Sequence, residues 1–498
     1  MDETTATDRT TDSPEWVPAM AWVPVGAAAV GFCAVLLALS TRYGYHRDEL
    51  YFRVAGRHLA WGYVDQPPWT PLLARIGVDL FGDTVIGLRV LPAVIAGIIV
   101  VTAGLLAREL GATRGAQVLA AGAVGSTTMV LQVGHMLSTP TTDIAIWLAI
   151  AVVFARMLRT GQSRWWVAVG LMAGLGALNK FTVFLLVATL VIGVMIVGPR
   201  DVLRSWWVAV GAILAVLIIS PTLGWQAAQG FPQFAVASSI ADDATTNRIL
   251  FFPMQILIVG PLLAPMWVVG LLALWRDPGL RRFRAFGVAY PVAAVAVIIG
   301  AGKFYYVFGL LAVLLVTGAA PTLRWLRRGG ARLVMASAAV VITLITNALI
   351  GLPLLPATAI GVVNAADKEQ GEQIGWQSFA ATVDGVWHQI PESSRPTAVV
   401  YSDNYGEAGA LDRYATDLMP YSGHMSFANW GPPSDRETGP VVVVDGGHPH
   451  RAPAYFTDCR HAARIDSGVD NDEQGTGVWL CTGPHRPWSV LWPHLRRT

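Results

Sequence analysis

The sequence predicts an α-helical polytopic membrane protein with a C-terminal extracytoplasmic α/β domain. Three observations carry this reading. Of 498 residues, 54% are hydrophobic and only 14% charged, with a mean hydropathy of +0.49, whereas soluble domains carry about a quarter charged residues. Apolar runs near the length of a bilayer crossing, about 20 residues, recur along the chain. Near residue 355 they stop and the composition changes.

The runs lie at 17–40, 86–107, 116–134, 143–158, 165–178, 181–198, 206–223, 253–275, 285–301, 304–320 and 333–354. They predict about eleven transmembrane helices, the fifth of them short. Orientation follows from arginine, because basic residues stay on the cytoplasmic side. With the N-terminus cytoplasmic, fifteen arginines fall in the cytoplasmic gaps, among them Arg108, Arg159, Arg282 and Arg328. The opposite gaps hold only Lys180, Arg248, Lys303 and the five arginines of the first loop, 41–85. That loop and everything beyond 355 are therefore expected outside the cytoplasm, in a plasma membrane.

Residues 1–16 are acidic and threonine-rich without a basic leader, and read as a disordered cytoplasmic tail. Residues 355–498 read as a small domain with its own core. Strand-like runs occur at 397–402, 440–445 and 477–482, with one helix near 406–416. Cys33 sits in an apolar run. Cys459 and Cys481 lie in the polar tail, where a disulfide requires an oxidising compartment; the sequence leaves the pairing open. No basic tract points to nucleic acid, and no Cys/His cluster points to zinc.

Ionisable groups near a membrane are costly and tend to mark function. Here they gather at the outward ends of the spans: Asp48 and Glu49 after the first, Asp65 beside Gln66-Pro67-Pro68, His135 and Asp143 around the third gap, Lys180 after the fifth span, and Lys303 with Tyr305 and Tyr306 after the ninth. A reaction on a lipid-linked phosphate needs cations at headgroup depth, a carboxylate to deprotonate an acceptor hydroxyl, and apolar grooves for the lipid. Ordinary readings stand beside this one. Asp48 and Glu49 could cap an amphipathic interfacial helix over "DELYFRVAGRHLAW", with Tyr51, Val54 and His58 on one face. Asp143 could cap the fourth span. Lys180 and Lys303 could snorkel, Tyr305 and Tyr306 could belong to an aromatic belt, and His58 and His135 could be packing.

"RDELYF", "GYVDQPPWTPLLA", "STPTTDIAIW", "GLGALNKF" and "GKFYYVFGLLAVLL" together resemble the GT-C glycosyltransferases, glycosyltransferase family 39 in particular, which includes protein O-mannosyltransferases and bacterial aminoarabinose transferases. The resemblance covers roughly 17–354, which would be the transmembrane glycosyltransferase domain with loop 41–85 as its catalytic loop. "SDNYGEAGALDRYA" and "YSGHMSFANWGPP" in the tail are similar to bacterial members. The resemblance implies transfer of a sugar, with inversion, from a polyprenyl-phosphate donor to an acceptor of the cell envelope: lipid, polysaccharide or protein. It implies catalytic roles for Asp48, Glu49 and Asp143. Lys303, Tyr306, Lys180, Gln66 and Arg57 would bind the donor phosphate, and Asp65 and His135 would position the acceptor or a metal. No spacing requires a cofactor, although a divalent cation at Asp48, Asp65 or Asp143 is compatible with the chemistry. The aminoarabinose transferases carry lysine where this chain has Gln66, which removes a charge from the donor site. The rival readings are a transporter or flippase of lipid-linked sugars, which would place its charges near the bilayer midplane, and a non-catalytic scaffold whose outer domain binds a cell-wall partner.

Overall fold

A computed structural model describes residues 17–365, 367–445 and 451–498. The expected N-terminal tail lies outside the described residues. The membrane body is built from α1 (Trp22–Leu39), α2 (Arg47–Ala55), α3 (Trp69–Phe81), α4 (Val85–Glu109), α5 (Arg114–Gly125), α6 (Thr128–His135), α7 (Thr139–Thr160) and α8 (Trp165–Ala177). It continues through α9 (Thr182–Val197), α10 (Trp207–Ala228), α11 (Pro232–Asp242), α12 (Ala244–Val259), α13 (Ala264–Arg276), α14 (Arg284–Ile299), α15 (Phe308–Leu326) and α16 (Gly330–Gly351).

Among the described residues, seven helices are long and apolar enough to cross a membrane, and nine if two bent pairs each count as one crossing. The short apolar helices α8 and α9 occupy the remaining two runs read from the sequence. The chain is a multi-pass membrane protein. α1 and α16 bury little of their surface, and side chains such as Val23, Val334 and Val341 stand exposed, as they would against lipid. Close helix contacts use small residues: a Cβ on Gly170 would strike the backbone of Gly211, which holds α8 against α10.

Two expected spans are not straight. The run at 116–134 breaks by 62° between α5 and α6, where Thr127 starts a new helix by accepting the Val130 N–H. The run at 253–275 turns by 103° between α12 and α13. Gly260 adopts φ 101° there and Pro261 follows it; the left-handed glycine and the missing N–H end one helix and redirect the chain.

The C-terminal domain comprises α17 (Gly361–Asn364), α18 (Trp376–Trp387), β1 (Val399–Ser402), α19 (Tyr405–Tyr414), β2 (Pro420–Ser422), β3 (Val441–Asp445), α20 (Arg451–Tyr455), β4 (Phe456–Thr457), β5 (Arg460–Arg464), β6 (Gly477–Cys481), β7 (Gly483–Pro484) and α21 (Trp488–Leu495). Five strands form one mixed sheet in the order β2-β1-β3-β6-β5. β1 is parallel to β2 and β3, while β6 is antiparallel to β3 and β5. Val399, Val441, Val442, Val443 and Val444 are buried on the two central strands. Cys459 and Cys481 are joined by a disulfide. The sequence pattern predicts a single helix in this domain, which is α19; α18, α21 and the short α17 and α20 are further helices beyond that expectation.

The expected interfacial helix over 48–61 is corrected by the structure. α2 ends at Ala55, its N-cap is His46 rather than Asp48, and residues 49–55 are all buried. It does not lie on the membrane because α3 packs on one side and α19 on the other. Gly409 of α19 approaches Leu50 so closely that a Cβ would sit 2.9 Å from its backbone carbon. Tyr45 and Leu50 of the first loop share a buried core with Phe379, Val400, Leu411 and Val442. The first loop thus contributes to the core of the C-terminal domain.

Candidate active site

The site begins with the capping of α2. His46 Nδ1 accepts the Asp48 N–H at 3.2 Å, and Glu49 reaches back to the His46 N–H at 2.9 Å, a reciprocal cap. With Nδ1 accepting, the imidazole proton sits at Nε2, 2.9 Å from Glu369. Glu49 points inward and is fully buried. Its carboxylate receives Arg89 Nη2 at 2.6 Å, Arg89 Nε at 2.9 Å and the Leu137 N–H at 2.9 Å. Adjacent helical residues point about 100° apart, so inward Glu49 turns Asp48 the other way. There Asp48 Oδ1 accepts the Tyr405 hydroxyl at 2.7 Å.

Asp65 lies on the turn before Pro67-Pro68, which is closed by a Tyr63 N–H to Gln66 carbonyl bond of 2.9 Å. It accepts the Tyr51 hydroxyl at 2.6 Å. The rings of Tyr51 and Tyr405 are 5.0 Å apart, which brings the two carboxylates into one polar cluster. Burial, then the field of the neighbouring carboxylate, holds both phenols well above their ordinary range, so they remain donors. Burial also pushes Asp65 up to about 6, against the opposing bond from Tyr51.

Facing Asp65 is a cavity of about 500 Å³ lined by Asp65, Gln66, Asn179, Lys180, Gln226 and Tyr306. Its other walls are Phe181, Phe184, Leu223, Phe231, Phe234 and Ile240. Asn179 fixes the head of this cavity: it accepts the Thr70 hydroxyl at 3.0 Å and donates to the Thr139 carbonyl at 2.9 Å, tying α3 to α7. The next residue, Lys180, holds its ammonium 4.9 Å from the Tyr305 ring and 4.5 Å from that of Tyr306. Gln66 is only 3% exposed, yet both polar atoms of its side chain lack a partner. A buried unpaired amide is expensive and calls for a ligand or water.

Asp143 stands at the start of α7, accepting the Thr182 hydroxyl at 3.1 Å and the Trp147 N–H at 3.0 Å. Tyr305 lies within electrostatic reach of both Asp48 and Asp143, and Asp143 within that of Lys180. Asp65, Gln66, Lys180 and Tyr306 thus share the cavity wall, Asp48 joins Asp65 through Tyr405 and Tyr51, and Asp143 neighbours Lys180 from outside that wall. Lys303 precedes the turn Phe304–Val307 that carries Tyr306, is not part of the cavity wall, and forms no ion pair among the described residues.

Three expected residues fall elsewhere. Glu49 is enclosed with Arg89. His135 is buried with Nε2 3.1 Å from Arg89. Arg57 faces the C-terminal domain and pairs with Asp412 at 2.5 Å, outside the cavity, because α19 presents that acid opposite α2. His58 stacks on Trp430, with ring centroids 4.7 Å apart. Among the described residues, no three of His, Cys, Asp or Glu converge as a metal-ligand group. Sequence reasoning missed Arg89, Glu369 and Tyr405. Arg89 had a signal, a lone charge inside the apolar run "VIGLRVLPAVIAG"; the other two come from the distant tail.

A helical membrane body followed by a C-terminal β-containing domain is the architecture of the GT-C fold, and the chain has that fold. Residues 65–225 match the family model described as dolichyl-phosphate-mannose-protein mannosyltransferase. A curated relative, undecaprenyl phosphate-alpha-4-amino-4-deoxy-L-arabinose arabinosyl transferase 1 of Pseudomonas fluorescens, is 33% identical over 168 residues. That match covers 32% of this chain and 30% of the relative's length. The crystal structure of ArnT from Cupriavidus metallidurans bound to undecaprenyl phosphate superposes with a TM-score of 0.62 at 16% identity, over 91% of this chain and 97% of that one. The mycobacterial arabinofuranosyltransferase AftD (mutant R1389S) gives a TM-score of 0.52 at 14% identity, over 95% of this chain and 42% of that one.

Proposed function

We propose that this chain is a membrane glycosyltransferase that moves a sugar from a polyprenyl-phosphate donor to an acceptor of the cell envelope, with inversion. The observation that carries the proposal is the Lys180 cavity: a cation and an unpaired amide at the head of an apolar pocket, opposite Asp65. The names of the relatives, including one solved with undecaprenyl phosphate, support the same donor class.

In this reading the prenyl chain enters along the phenylalanines of α9 and α11. The phosphate meets Lys180, the Gln66 amide and the Tyr306 edge, with Lys303 adding charge. A carboxylate, Asp48 by our assignment, takes the proton of the acceptor hydroxyl. The freed oxygen attacks the anomeric carbon from the face opposite the phosphate, the bond from carbon to phosphate oxygen breaks, and the polyprenyl phosphate leaves with the electron pair. Cations near the departing oxygen stabilise the transition state, and a positioned base contributes about 10²–10⁴-fold. Asp65 and Asp143 orient the acceptor. Glu49 and His135 act through position only, holding α2 and with it Asp48 against Tyr405. We take the phosphate charge to be met by side chains, without an obligatory divalent cation.

The membrane is read as the plasma membrane, with the N-terminus cytoplasmic and the C-terminal domain outside. The arginine asymmetry favours this orientation, and so does the Cys459–Cys481 disulfide, which suits an oxidising compartment. A transporter fits less well, because the polar groups gather at one edge of the helices and beneath a covering domain. The deciding experiment incubates purified protein with a panel of polyprenyl-phosphate sugars and reads released lipid phosphate by mass spectrometry. Release from at least one donor in the wild type, lost in Asp48→Asn, is expected; no release from any donor overturns the reading.

A further inference from the structure

A second cavity, of about 640 Å³, opens where the first loop meets the C-terminal domain. Its walls differ from those of the lipid-like pocket. Trp225 and Trp430, the latter stacked on one face by His58, line it together with the largely buried Trp492, and Asn429 and Arg496 complete its wall. Asn429 and Arg496 are hydrogen-bonded to each other and exposed. Flat aromatic faces suit the apolar C–H faces of pyranose or furanose rings. Amide and guanidinium groups suit their hydroxyls, because both can donate in fixed directions. A prenyl chain would offer those polar groups no partner beyond each other and water.

The cleft is also placed for the reaction. Trp225 lines it, while its neighbour Gln226 lines the Lys180 cavity. Tyr63 belongs to its wall, and the Tyr63 carbonyl accepts Gln226 Nε2 at 3.2 Å. Ser426, also in the cleft, accepts the Val64 N–H at 3.0 Å, one residue from Asp65. The segment 63–65 and one turn of α10 lie between the two cavities.

We propose that this cleft is a saccharide-binding subsite that receives the glycan portion of the acceptor, with its reacting end passed over residues 63–65 toward Asp65. This inference rests on the glycosyltransferase reading and narrows the acceptor to a carbohydrate-bearing molecule. The test applies purified full-length protein in detergent to an array of defined hexose and pentose oligosaccharides, and separately titrates it with undecaprenyl phosphate. The wild type retains a subset of the oligosaccharides. Trp225→Ala and Asn429→Ala each lower that retention about tenfold while undecaprenyl phosphate still binds. No oligosaccharide retained by the wild type, or unaltered retention in both variants, overturns the assignment. So does loss of lipid phosphate binding alongside retention in both variants, because the cleft is then not a separate subsite. Lys180→Ala, titrated with undecaprenyl phosphate alone, tests the transferase reading, so a failed array with intact lipid binding removes only the cleft.

Discussion

Glu49 and Arg89 form a buried ion pair, with Oε2 and Nη2 2.6 Å apart and neither side chain more than 1% exposed. Arg89 also donates to the carbonyls of Ser40 at 2.6 Å and Gly44 at 2.9 Å, and to Gln373 Oε1 at 3.1 Å. One guanidinium therefore joins the end of α1, the first loop, α2, α4 and the segment leading into α18. Planar donors in a fork make such a junction feasible for arginine but not for lysine.

Removing one partner leaves the other charge buried and alone, at a cost of about 3–5 kcal/mol. Glu49→Gln and Arg89→Met are thus expected to lower the thermal midpoint of the detergent-solubilised protein and to lose activity with it. Wild-type melting in both variants would mean that the junction is dispensable.

Asp48→Asn should abolish sugar transfer while leaving expression and melting temperature close to wild type, because Asp48 is half-exposed and the α2 cap depends on its backbone rather than its carboxylate. Tyr405→Phe, which removes one hydrogen bond to that carboxylate, should reduce the rate by less. Turnover retained in Asp48→Asn would transfer the role of base to Asp65.

Lys180→Ala is expected to weaken binding of polyprenyl phosphate by about tenfold or more, as the loss of a charge-assisted contact implies. Lys303→Ala should weaken it less and should leave acceptor binding unchanged. Equilibrium binding of the lipid phosphate, followed by tryptophan fluorescence, separates the two.

The raised Asp65 makes a prediction about pH. With its folded value near 6, it is ionised above that pH and protonated below it. If the ionised form orients the acceptor, transfer should fall as pH drops through about 6, and Asp65→Asn should flatten that limb. A rate independent of pH between 5 and 7 in the wild type would exclude the ionised form from the slow step.

Chelation gives the simplest check on the metal question. Transfer measured after dialysis against EDTA should match the untreated rate, and a loss restored by magnesium or manganese would assign the acids Asp48, Asp65 and Asp143 a ligand role.

Much of this was legible in the sequence because a bilayer disciplines it. Apolar length marked the crossings, and charges excluded from lipid collect at the ends of apolar runs, which makes Asp48, Asp65, Asp143 and Lys180 stand out in the sequence. The reading failed where distant segments meet. "DELYFRVAGRHLAW" has the periodicity of a surface helix, but Leu50 and Tyr51 are covered by α19, some 350 residues later. Tyr405 and Glu369 lie in tail sequence whose local pattern carries no sign of the partners they meet. The turn at Gly260-Pro261 was written in the chain and overridden by the hydrophobicity on either side.

Tyr45 and Leu50 are held within the same buried cluster as Val400 and Val442. During synthesis the first loop therefore emerges long before the segments that will enclose it. The acid-bearing helix waits, with α3 and α4 but without α19, while every later crossing is inserted and the C-terminal domain is made. A ribosome-bound intermediate would carry Asp48 without the Tyr405 hydroxyl that binds it, so this cluster is completed only at the close of biogenesis.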